Sequence, residues 1–396
     1  MLRQTRMSAM RREQSLQNSV DKLQTSHVGN SLQKKTYSPL SKSEISTFGS
    51  KMDLNGYITD PRRRFVLSVI GQRVRTDIAC MYLLAVDLIS ANDWHWLKYH
   101  FTQYPPHSVG LALASRCAKI EAKMPNEGVS FISRIASLSN RKNDRAHYQQ
   151  ILQVLAEILV IERVLGLPWP ENTTFFLEPA GRTGKRPELM VSTPDHQFLF
   201  EVKSPSLLDH QEKRASNGIQ LPHRGLVPLE QIDKLVSDQS VTLPRDTPVK
   251  DFLVSSEKKF SDSPTVPGAN ISVIVWDDYI YEPIGSLVGI RGGLLTLDTW
   301  YIDSSGDPVT YPSVDGIVLI RHMTYFQRAL ADDDLIDRHG LFDFGSDAAL
   351  PNVFIQNPKG REVPESIKMG LRAIDIEDKR LAHMAEYHVQ DYVFWM

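Results

Sequence analysis

The sequence predicts an α/β protein, with a mixed central sheet flanked by helices and an all-helical domain in front of it. Three observations lead there. Residues 62–140 carry apolar side chains at helical spacing and no strand-like run. Beyond a long helix at 147–166, short runs rich in β-branched and aromatic residues alternate with further helical stretches. At 41% hydrophobic and 23% charged residues, the 396-residue chain has an ordinary globular composition. That length exceeds one compact core and suggests about two domains plus a tail.

Residues 1–55 are rich in Ser, Gln, Arg and Lys, poor in acids and without apolar periodicity, which reads as a disordered tail. They have no apolar secretory core. A helical domain is expected over 56–143, with helices at Phe65–Ile70, Ile78–Ile89, Val109–Ile120 and Val129–Leu138. Trp94, Trp96, Tyr99 and Phe101 form an aromatic patch read as core. The polar run Asn140–Arg145 marks the boundary, and 144–396 forms the α/β part. Its opening helix, 147–166, ends at Gly166 with Pro168 just beyond.

Strands follow at Glu188–Val191 and Phe198–Val202. A short helix at Leu229–Val236 and a longer one at Val249–Phe260 come next. Further strands are expected at Ile271–Trp276, Leu294–Ile302, Gly316–Ile320 and Val353–Ile355, with a closing helix over Arg372–Tyr387. The two cysteines, Cys80 and Cys117, lie among apolar residues and suit a reducing cytoplasm rather than a disulfide scaffold. No apolar run approaches the roughly 18 residues of a membrane span.

The chemistry concentrates in residues 186–203. Phe198–Val202 has the composition of a buried strand, yet it contains Glu201, and Lys203 follows. With side chains alternating in period two, Glu201 and Lys203 share one face. Charges on a core strand are costly unless paired or bound to a metal. Pro194-Asp195 lies in the polar break between the two strands. A two-residue loop there sets Glu188 opposite Glu201, and a four-residue loop sets it opposite Lys203. Two carboxylates on facing strands make a hard-oxygen site suited to Mg²⁺ or Mn²⁺. The competing reading is a hairpin with one exposed ion pair.

This pattern resembles the PD-(D/E)XK nuclease superfamily, in which a proline-acid pair begins one strand and an acid-X-lysine triplet lies on the next. Pro187-Glu188 matches the first half and Glu201-Val202-Lys203 the second. Glu in place of the usual Asp lengthens the first ligand by one methylene. The resemblance implies a restriction-endonuclease-like fold over roughly residues 147–360 and a Mg²⁺ (or Mn²⁺) ion held by Glu188 and Glu201. It also implies that Lys203 stabilises developing charge or orients the attacking water. Superfamily members commonly carry an acid on the helix before the first core strand, and Leu155-Ala156-Glu157-Ile158-Leu159 looks like that helix, with Glu157 as a further catalytic residue and metal ligand. Glu162, followed by Arg163, is expected to face solvent. Many relatives place a Gln or Lys on the next helix, which points to Lys259, or to Lys258 in its place, as a substrate contact.

A net charge of −2 excludes a globally basic nucleic-acid binder, so binding would need local clusters. Arg62-Arg63-Arg64, Lys258-Lys259 and the stretch holding Lys185 and Arg186 supply them, the last beside the hairpin. The expectation is a Mg²⁺-dependent endonuclease acting on nucleic acid, DNA first, in defence against foreign DNA or in genome maintenance, with a homo-oligomer left open. The alternative is a catalytically inactive nuclease-fold module that binds nucleic acid or protein.

Overall fold

The computed structural model describes residues 76–389 apart from 104–105, 141–143, 180–185, 217–218, 221–240, 243, 263–265, 291, 336–339 and 345–350. The expected tail, the Phe65–Ile70 and Leu229–Val236 helices, the Arg62-Arg63-Arg64 cluster and Lys185 lie outside the described residues. No helix among those described is long and apolar enough to cross a membrane.

Four helices come first: α1 (Thr76–Ser90), α2 (Lys98–Thr102), α3 (Ser108–Lys123) and α4 (Glu127–Ser137). α1, α3 and α4 pack on one another, and α3 also packs on the long helix α5 (Arg145–Leu165). Asp144 caps α5 by accepting from the His147 backbone N–H, and Gly166 ends it. Apolar side chains of these helices and of the sheet belong to a single buried core. Phe101 is buried within it, while Tyr99 lies at the surface.

The sheet has seven strands. β1 (Thr174–Leu177), β2 (Leu189–Ser192) and β3 (Gln197–Lys203) form an antiparallel meander. Then come α6 (Leu207–Ser216), a separate two-stranded pair β4 (Ile219–Gln220) and β5 (Val241–Thr242), and α7 (Pro248–Phe260), whose Pro248 suits a first helical turn. β6 (Gly268–Trp276) runs parallel to β3. After α8 (Tyr281–Val288), β7 (Gly316–Arg321) runs parallel to β6. Helix α9 (Met323–Leu330) leads to β8 (Asn352–Gln356), antiparallel to β7. Last come α10 (Glu365–Gly370) and β9 (Ala373–Asp375), which is parallel to β8. The sheet order is β1-β2-β3-β6-β7-β8-β9.

The three central parallel strands are apolar almost throughout, as strands covered on both faces must be. Gly268 starts β6 at φ 137°, and a Cβ there would lie 1.8 Å from the Gln197 carbonyl oxygen. Only glycine permits that close approach, which registers Gln197 with Gly268 and so Glu201 with Ser272.

The structure corrects three expectations. Leu294–Ile302 is not a strand: its backbone folds back on α8, with Leu294 and Leu295 N–H donating to the Ser286 and Leu287 carbonyls, and Leu297 is 86% exposed. Arg372–Tyr387 is not a helix but β9 followed by single turns at Leu381–His383 and Ala385–Tyr387. Asp378 accepts from the Arg380 backbone and guanidinium, a local bonding pattern that competes with helix. Glu162 does not face solvent: its Oε1 accepts from Arg116 and Lys119 of α3, each at 2.8 Å.

Candidate active site

The β2–β3 hairpin turns through two residues. Thr193 N–H donates to the His196 carbonyl at 2.8 Å, and Pro194 and Asp195 are exposed at the tip. Leu189 pairs with Phe200, so the next pair along the ladder is Glu188 with Glu201. This is the shorter of the two loops the sequence allowed. It brings the two carboxylates together at the inner end of the hairpin, beside the parallel strand β6.

Glu201 is fully buried at 0% exposure, the middle of a strand enclosed on both faces. Lys203 Nζ lies 2.5 Å from Glu201 Oε1, which places the two side chains on one face as period-two alternation requires. Lys259 on α7 reaches the same oxygen at 2.6 Å and Glu188 Oε1 at 3.3 Å. One turn earlier on α7, Ser255 Oγ accepts from Lys203 Nζ at 3.2 Å. Ser256 bonds Ser272, the residue registered with Glu201, at 3.1 Å. Residues 255, 256 and 259 thus present one face of α7 to this part of the sheet.

The charges balance as two carboxylates and two ammoniums, but the hydrogen bonding does not. Both lysines converge on Glu201 Oε1, and the buried Glu201 Oε2 has no hydrogen-bond partner among the described residues. An unsatisfied carboxylate oxygen in a protein interior is expensive. Glu188 carries the electrostatic strain: burial, then the Glu201 and Glu157 carboxylates, push its pKa up to about 7 against the pull of Lys259. Burial works against the Lys259 charge, but Glu201 and Glu188 raise its pKa overall.

Glu157 is close enough to act on Glu188 through space, but its own carboxylate is held by Arg134 of α4 at 2.7 Å. Among the described residues no three His, Cys, Asp or Glu side chains converge as a ready metal cage. Two facing carboxylates, one with a vacant buried oxygen and the other with a raised pKa, nevertheless fit a hard cation. Arg186 is exposed just ahead of β2, and Lys258 is exposed next to the inward-pointing Lys259. The sequence did not reveal Ser255, Ser256 or Arg134, since their roles arise only when α4 and α7 dock.

Comparison with protein-family models, with curated proteins and with solved structures finds no match.

Proposed function

We propose that this chain is a metal-dependent phosphodiesterase, a nuclease acting on DNA, with Glu188, Glu201, Lys203 and Lys259 as its site. The observation that carries the reading is Glu201: a fully buried carboxylate with one unpartnered oxygen, directly across a hairpin from a second carboxylate. A site of this kind suits Mg²⁺ or Mn²⁺ bound by Glu188 and Glu201, an ion that polarises a phosphodiester and activates water when bound. Glu157 supports that site from α5, turning toward it if the Arg134 pair opens.

Lys203 and Lys259 have separate tasks. Lys203 projects from the same strand face as Glu201 and stabilises negative charge developing on the phosphoryl oxygens. Lys259 reaches in from a helix, and its ammonium keeps the two carboxylates apart in energy before substrate arrives. Exposed Arg186 contributes a phosphate contact at the edge of the hairpin, with Lys185 as its sequence neighbour.

The order of elements supports a restriction-endonuclease-like core within the α/β fold: a helix bearing Glu157, a hairpin bearing the acids and Lys203, then a helix and a parallel strand. We read α1–α4 as a helical domain that recognises or gates the substrate, and the cytoplasm, with defence against foreign DNA, as its setting. The catalytically inactive binding module stays as a second reading on one specific observation: two lysines already neutralise Glu201 and Glu188 without any cation.

Incubation with plasmid, linear and single-stranded DNA and with RNA, under Mg²⁺, Mn²⁺ or EDTA, decides between them. The nuclease reading expects cleavage with either metal and none in EDTA. Nucleic-acid binding without cleavage under all metal conditions gives the second reading, and undiminished cleavage in EDTA by a clean preparation refutes the metal mechanism.

A further inference from the structure

On the far side of α5 from Glu157, a cleft of about 510 Å³ opens between α3, α5, the 340–344 segment and the turn before β9. Four basic side chains line it, Arg116, Lys119, Arg163 and Arg372, against two carboxylates, Glu162 and Asp343. For a chain whose net charge is −2, this is a local excess of positive charge. Glu162 is already committed, since one of its oxygens serves both Arg116 and Lys119. Neither Arg163 nor Arg372 forms an ion pair with a carboxylate among the described residues.

Arg163 is held ready rather than neutralised. Its Nε donates to the Gly370 carbonyl at 2.7 Å and its guanidinium lies 5.6 Å from the centre of the Phe344 ring. The two terminal nitrogens donate to no described residue. Burial, then the neighbouring Arg372 charge, pull its pKa below the ordinary arginine value. Arg372 has φ 50°, one residue beyond the Leu371 cap of α10, a left-handed position where glycine or asparagine is the low-strain choice. An arginine kept there adds a fourth cation to a group that already repels itself.

We propose that this cleft binds a small phosphorylated ligand of nucleotide size. The Arg163 guanidinium, whose paired terminal nitrogens donate to no described residue, matches phosphate oxygens, and the volume falls within the range of small-molecule sites. The lining residues come from four elements far apart in sequence, and a compact ligand is the occupant that can touch all of them at once. α5 carries Arg163 on one side and Glu157 on the other, so occupancy bears on the helix that borders the candidate active site.

Isothermal calorimetry on the full chain with ADP, inorganic pyrophosphate and a single-stranded oligonucleotide tests the proposal without any cleavage readout, so its failure is distinct from failure of the nuclease reading. ADP or pyrophosphate is expected to bind and to raise the melting temperature. Arg372→Gln and Lys119→Glu should each weaken binding by about tenfold or more, while Lys123→Gln, on the same helix but outside the cleft, should leave it unchanged. The Lys119 variant is the control for folding, because that side chain is half exposed. No binding of ADP or pyrophosphate by folded protein, undiminished binding by both cleft variants, or an oligonucleotide affinity that falls in the cleft variants while ADP and pyrophosphate do not bind would each overturn it.

Discussion

Two buried charge clusters flank β6, and they are built differently. At its C-terminal end, Arg245 makes a paired fork to Asp277 at 2.8 and 2.9 Å and contacts both oxygens of Glu282 at 2.8 and 3.0 Å. Trp276 Nε1 donates to Glu282 as well, and the guanidinium lies 4.9 Å from the Tyr279 ring centre. Burial raises the Glu282 pKa to about 7, with Arg245 opposing it. One planar cation there satisfies two carboxylates by geometry. At the hairpin, two point-charge lysines crowd one oxygen of Glu201 and leave the other bare. The first arrangement is closed and reads as structure. The second leaves one buried carboxylate oxygen without a donor among the described residues, and the proposed metal site rests on that difference.

The contrast breaks most easily at Arg245. Arg245→Ala strands two buried carboxylates and should cost about 3–5 kcal/mol in urea denaturation. A loss under about 1 kcal/mol would erase the structural reading of that cluster. At the hairpin the effect should fall on chemistry instead. Lys203→Ala is expected to slow Mg²⁺-dependent cleavage by roughly 10²–10³-fold, read in single-turnover assays. Its melting temperature should stay close to that of the parent, since Lys259 still faces Glu201.

Glu188 gives a smaller effect with a defined sign. Its folded pKa, about 7, is above the ordinary 4.5, so its contribution to stability is complete below about pH 4.5 and is lost as pH rises through 7. The loss is at most on the order of 3 kcal/mol, and Glu188→Gln should flatten that part of the stability–pH curve. Parallel curves for parent and variant would mean that Glu188 is not strained. The smallest effect is expected at Asp195: Asp195→Ala, at the exposed tip, should change stability by no more than about 0.5 kcal/mol and leave cleavage intact.

The hairpin was legible in the sequence because its signals are local. Period-two alternation put Glu201 and Lys203 on one face, and Pro-Asp chemistry at the turn fixed the register to one of two choices. α5 and α7 were legible from apolar spacing, and Lys259 from its place on α7. What failed was context. β1 is an edge strand of alternating exposure with Phe176 about half exposed, and it leaves too little apolar contrast to be noticed. Leu294–Ile302 has strand composition, but Gly292 at φ 112° and the tie to α8 turn it back. Glu162 looked solvent-facing because its partners, Arg116 and Lys119, are more than forty residues away.

Glu201→Gln tests the central claim most directly, with cleavage and thermal melting measured on the same preparation. Glutamine keeps the volume and removes the charge, so it separates a metal-binding carboxylate from an ion-pair anchor. If the hairpin cluster is an active site, Mg²⁺-dependent cleavage disappears while the melting temperature holds or rises, because a strained like-charge pair has been relieved. If the variant still cleaves, or if it unfolds because Lys203 and Lys259 have lost their anchor, the cluster is structural and the account is wrong.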